Sequence, residues 1–192
     1  MKKIISIALL LLLSACSTLQ TGFFSSYEGM KKLDENFYFS KVDDANLSAY
    51  DKVFIPEVKL MTNRGKLTPA QHQLNIELKA YATRGYRRTI NQKKLVNVGQ
   101  KNTLVIQIAL SLAHIDKTKK GLDAVEFLPL SADDTSKELH LVIEVQSVDI
   151  MTSKVLSRSV RIIMNEDVNV KELSFKDVQP SLDAWLKDVV KH

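Results

Sequence analysis

A single cysteine, Cys16, serves a chain of 192 residues, so no disulfide can form within it. Six glycines and four prolines leave little material for strained catalytic loops, and neither low-complexity tracts nor internal repeats occur. No apolar run approaches the ~20 residues that a membrane-spanning helix requires. The nucleophile elbow Gly-x-Ser-x-Gly, the Walker loop and His-Glu-x-x-His are all missing. His72, His114, His140 and His192 are scattered without metal-ligand spacing. Asp133 and Asp134 do not follow the spacing of a calcium loop. These gaps leave neither a metal nor a cofactor to expect, and they argue against an enzyme.

What is present begins at the N-terminus. Lys2 and Lys3 precede the apolar run Ile4 to Leu13, which ends at Leu13-Ser14-Ala15-Cys16. A basic start, a short apolar stretch and a small-residue cleavage site form a secretory signal peptide. The last four residues resemble the lipobox of bacterial lipoproteins. That resemblance implies that residues 1–15 are removed and that Cys16, the new N-terminus, carries lipid on its sulfur and its amine. An ordinary signal peptide with a chance cysteine is the plainer alternative. With Cys16 acylated no free thiol remains, which excludes cysteine nucleophiles, zinc thiolates and redox chemistry. Removing Lys2 and Lys3 lowers the formal charge from +5 to +3, too small an excess to argue nucleic-acid binding. Serine rather than aspartate at position 17 implies, for a Gram-negative lipoprotein, an outer-membrane destination facing the periplasm.

Ser17 to Thr21 is a short polar leash, followed by Gly22-Phe23-Phe24-Ser25-Ser26-Tyr27. Farther on come Asp44-Ala45-Asn46-Leu47-Ser48-Ala49-Tyr50-Asp51-Lys52-Val53, Phe127-Leu128-Pro129-Leu130, and Glu144 to Leu156 with Asp149 and Thr152 inside it. Together these resemble uncharacterised bacterial lipoproteins grouped as the domain-of-unknown-function 3313 family. In that family's hairpin motif a glycine stands where this chain has Ser153. The resemblance implies a lipoprotein and carries no catalytic residues.

Residues 50–192 read as one α+β domain. Tyr50 to Val58 is a first strand, with Pro56 confining its end to an edge or bulge. Thr68-Pro69-Ala70-Gln71 is a helix start, and Leu74, Leu78, Tyr81, Ala82 and Gly85 share one face of a helix over about 68–92. Leu95 to Val98 is a short strand. Leu104, Ile106, Ile108, Leu110 and Leu112 alternate as in a half-buried strand. Leu139 to Ile150 and Val155 to Ile163 form a hairpin. Ser174 can cap a last helix with Leu182, Trp185, Leu186 and Val189 inside, where Pro180 disrupts it or marks a later start. The expected fold is a mainly antiparallel sheet of four to five strands with two helices on one face, preceded by an extended lipidated arm over 16–49.

The expected function is a membrane-anchored envelope lipoprotein, acting without catalysis as an adaptor, scaffold or assembly factor. It would reach the membrane through lipid on Cys16 and bind an envelope protein partner. The long connection between Asp116 and Lys137 supplies the candidate partner-binding residues Val125, Phe127, Leu128 and Leu130, which either pack on their own domain or dock a partner. The alternative is an envelope hydrolase acting on peptidoglycan or lipid.

Overall fold

The computed structural model describes residues 22–42, 45–62, 67–89, 94–130, 138–163 and 174–191. Three long antiparallel strands form its centre: β6 (Thr103–Ile115), β8 (Leu139–Asp149) and β9 (Val155–Ile163). Strands β1 (Lys31–Asp34) and β2 (Phe37–Lys41) extend the sheet beyond β9. The opposite side of β6 is shared end to end by β3 (Lys52–Phe54), β4 (Lys59–Leu60) and β7 (Val125–Leu128), and β5 (Lys94–Leu95) lies beyond β3. Strands β3 and β4 run parallel to β6, as β5 does to β3, because a helical crossover separates β3 and β4 from β5 and β6.

Among the described residues the sheet is therefore nine-stranded and mixed, not the expected mainly antiparallel sheet of four to five strands. The difference lies in the two- to five-residue strands β1, β2, β4 and β7, too short for a period-two pattern to stand out. Of the expected 50–58 strand only β3 (52–54) forms, Pro56 stands between it and the separate β4 at 59–60, and Pro129 ends β7. The arm expected to precede the domain is, over 31–41, part of the sheet itself.

Helix α1 (Pro69–Thr89) opens with the capping box its sequence announces. The Thr68 amide donates to Gln71 Oε1 at 2.9 Å and the Gln71 amide to Thr68 Oγ1 at 3.2 Å. Helix α2 (Phe175–Lys191) begins where the Ser174 amide donates to Asp177 Oδ2 at 2.8 Å. It runs through Pro180 in its second turn rather than starting after it. Leu74, Leu78 and Ala82 of α1 and Val178, Leu182 and Trp185 of α2 bury against the even-numbered apolar residues of β6 and the odd-numbered ones of β8. The two helices touch at Gly85, where an added Cβ would collide with the Leu186 side chain. The second sheet face holds a smaller cluster of Phe24, Tyr38, Ala113, Val125, Val142, Val160 and Ile162, covered by residues 22–30.

Candidate functional site

Alternation along β8 sends Leu141, Ile143 and Val145 toward the helices, and Val142 and Glu144 to the other face. Glu144 is thus a carboxylate in the middle of an apolar strand, with no exposed surface. A buried carboxylate needs donors, and the arm supplies them. The Phe23 amide donates to Glu144 Oε2 at 2.9 Å and to Oε1 at 3.1 Å, and the Phe24 amide reaches Oε1 at 3.4 Å. The Tyr27 hydroxyl donates to Oε1 at 2.5 Å, and Ser111 on neighbouring β6 donates to Oε2 at 3.3 Å. Gly22 is required by the same geometry, since a Cβ there would run into the Tyr27 hydroxyl. The Tyr27 ring stacks on Phe127 at 4.5 Å between centroids. Desolvation holds the Glu144 carboxyl above its ordinary pKa even though its donors pull the other way. Burial beside Glu144 raises the Tyr27 hydroxyl as well.

A second carboxylate of β8 fastens a second motif. Asp149 Oδ2 accepts from the Tyr50 hydroxyl at 2.5 Å, while Oδ1 accepts the amides of Met151 and Thr152 at 2.7 and 2.8 Å. Burial and the hydrogen bond to Asp149 push the Tyr50 hydroxyl up to about 12. The same hydrogen bond and the turn amides hold Asp149 below its ordinary value. The turn that follows places Ser153 at φ +57°, the left-handed conformation for which glycine is better suited. The residue types quoted for the resemblance, Gly22, Tyr27, Tyr50, Glu144 and Asp149, therefore hold the arm and β3 to the sheet.

The residues expected to bind a partner do not form one surface. Val125 and Leu130 are buried, and Phe127 and Leu128 are half-buried. Val125 and Phe127 join the arm's cluster, whereas Leu128 and Leu130 join the helix-side core. The Leu130 amide donates to Met61 O at 2.6 Å. Cys16, with residues 1–21, lies outside the described residues. Glu144 is not among the expected site residues, although a lone acid in Leu141-Val142-Ile143-Glu144-Val145 is a signal for it.

A groove of about 710 Å³ lies on the other side of the molecule, between α1 and the chain at the ends of β3 and β5. Ile55 and Leu95 line it from the sheet side, and His72, Ile76, Lys79 and Arg84 line it from α1. Asn75 is 8% exposed and donates from Nδ2 to Val58 O at 2.7 Å, while its buried Oδ1 accepts no hydrogen bond from the described residues. Among the described residues, no group of three or more His, Cys, Asp or Glu is placed to hold a metal ion. No helix among them is long and apolar enough to cross a membrane.

The fold is remotely similar to that of several solved structures. A PelC dodecamer from Paraburkholderia phytofirmans aligns at 13% identity and a TM-score of 0.40, covering 77% of this chain and 93% of that one. A PDZ domain protein from Parabacteroides distasonis aligns at 13% identity and a TM-score of 0.46, covering 77% of this chain and 34% of that one. No curated protein matches the sequence. The pattern of a family described as protein of unknown function, DUF3313, matches residues 19–189, and the chain belongs to that family.

Proposed function

We propose that this DUF3313 protein is a lipid-anchored envelope protein, tethered at Cys16 to the outer membrane and facing the periplasm. Its work there is that of an adaptor, scaffold or assembly factor for an envelope protein partner. The observation that carries this reading is the fastening of the arm. Only Ser17 to Thr21 separate Cys16 from Gly22, and the next residues are tied to Glu144 at the centre of the sheet. A lipid on Cys16 therefore pulls on the folded domain itself and not on a loose tail. Chain anchoring of this kind needs two acyl chains, at ~0.8 kcal/mol per buried methylene, and a triacylated cysteine exceeds that requirement. The carboxylates of the family motifs are occupied in holding structure, which suits a binding protein better than an acid–base catalyst.

The test is fractionation of the wild type and Cys16→Ser, with photocrosslinking from positions 127 and 128. Membrane-bound wild type, a soluble or unprocessed variant and one recurrent crosslinked envelope protein support the reading. Equal membrane association of the two proteins overturns the anchor, and absence of any recurrent partner overturns the adaptor role.

A hydrolase acting on peptidoglycan or lipid is the second reading, and the groove favours it. Its buried Asn75 Oδ1 can accept one donor, and Lys79 and Arg84 can meet an anion. Hydrolysis of such a substrate by the purified domain, abolished in Arg84→Ala or His72→Ala without loss of folding, would establish it.

A further inference from the structure

We infer that the sheet face carrying the arm, and not the helix-covered face, rests against the bilayer surface. This rests on the lipid anchor proposed above and adds to it the side of the domain that meets lipid.

The first support is reach. From Cys16 to Gly22 there are six residue steps, which span at most about 20 Å when fully extended. Gly22 is buried, and Phe23 and Phe24 are held to Glu144 on the outer sheet face. A lipidated cysteine at headgroup level thus keeps this face within one leash length of the membrane. The helices lie behind the full thickness of the sheet and would need the leash to travel around its edge.

The second support is the chemistry of the face. Phe23, Tyr27, Met30 and Phe127 are half-buried there, leaving aromatic and thioether surface at the rim of the arm. Exposed Lys59 stands 5.4 Å from the centre of the Phe23 ring. Arg158 stands 5.9 Å from that of Phe24 and donates to Ser26 O at 2.6 Å. Exposed Lys32 pairs across β1 and β2 with Tyr38 of the same face. Glu28 is the only carboxylate among residues 22–30. Aromatic rims favour the wet–apolar boundary, and lysine and arginine favour anionic headgroups.

The experiment uses the purified full-length protein in vesicles of phosphatidylethanolamine and phosphatidylglycerol. Single cysteines replace exposed residues on the arm side, Ser25→Cys and Lys32→Cys, or on the helix side, Gln73→Cys and Ile76→Cys. Lipid on Cys16 leaves the introduced thiol as the only one to accept a spin label. Collision with lipid-soluble oxygen should rise severalfold at 25 and 32 relative to 73 and 76, and collision with a water-soluble nickel chelate should fall there. Water-like labels on both sides, lipid-like labels on the helix side, or arm-side labels shielded from both reagents would overturn the inference. Mass measurement of the N-terminal peptide separates the two failures. An unmodified Cys16 overturns the anchor and this inference together, whereas a lipidated Cys16 with water-like labels at 25 and 32 overturns this inference alone.

Discussion

Replacing Glu144 by alanine should undock the arm without unfolding the sheet. In the native protein the carboxylate accepts from the amides of Phe23 and Phe24 and the hydroxyls of Tyr27 and Ser111. Hydrogen bonds to a charged group contribute ~1.5–3 kcal/mol each, but burial of the charge offsets part of their sum. The variant also limits its own loss, because released arm amides rehydrate instead of staying unpaired. The net expectation is about 2–4 kcal/mol, set by the arm's docking and not by the bond count. For a domain of this size that lowers the melting temperature by about 5–15 °C. Calorimetry reads the loss, and hydrogen exchange at Phe23 and Phe24 reads the arm. Glu144→Gln isolates the charge. Burial raises the native carboxyl pKa above its value in the unfolded chain, so the native state binds the proton more tightly. The contribution of Glu144 is then greatest below the unfolded pKa and declines as pH rises through the native one. Stability of the glutamine variant relative to wild type should therefore improve as pH rises over that window. Unchanged melting and unchanged exchange at Phe23 and Phe24 in Glu144→Ala would refute the clamp.

Trp185 is 1% exposed between α2 and the sheet, so Trp185→Ala should destabilise the fold by about 3–5 kcal/mol in chemical denaturation. The emission of Trp185 in the native protein should be that of an indole shielded from water. Ser153→Gly relieves the left-handed residue at the β8–β9 turn and should stabilise by about 1 kcal/mol, read as a higher denaturation midpoint with unchanged slope. In a carbon-detected titration of the tyrosine rings, Tyr50 should ionise at about 12, and in Asp149→Asn it should move back toward the ordinary tyrosine range. Asp149 has its pKa lowered by folding, so its own stabilising contribution is present above the unfolded value and is lost as pH falls through the native one.

The long elements were legible because each repeats its signal. The period-two run from Leu104 to Leu112 and the capping boxes at Thr68 and Ser174 left little choice of structure. Of the short strands, β5 was expected over 95–98 and pairs over 94–95, whereas β4 was not legible, because its two residues are a strand only where β6 offers a free side. Pro180 misled because helix packing through Val178 and Leu182 outweighs the amide that proline lacks. At the site, Glu144 became meaningful only when folding brought Phe23 within reach of a residue 121 positions away. The 125–130 segment was visible as apolar, yet only the pairing of β7 with β6 showed that its side chains divide between two faces.

The mass of the N-terminal peptide of the mature protein, isolated from membranes of cells producing the full chain, tests the anchor most directly. The expected result is a peptide beginning at Cys16 with acyl chains on its sulfur and amine. A peptide that begins at Met1, or one that begins at Cys16 with an unmodified thiol, would contradict it.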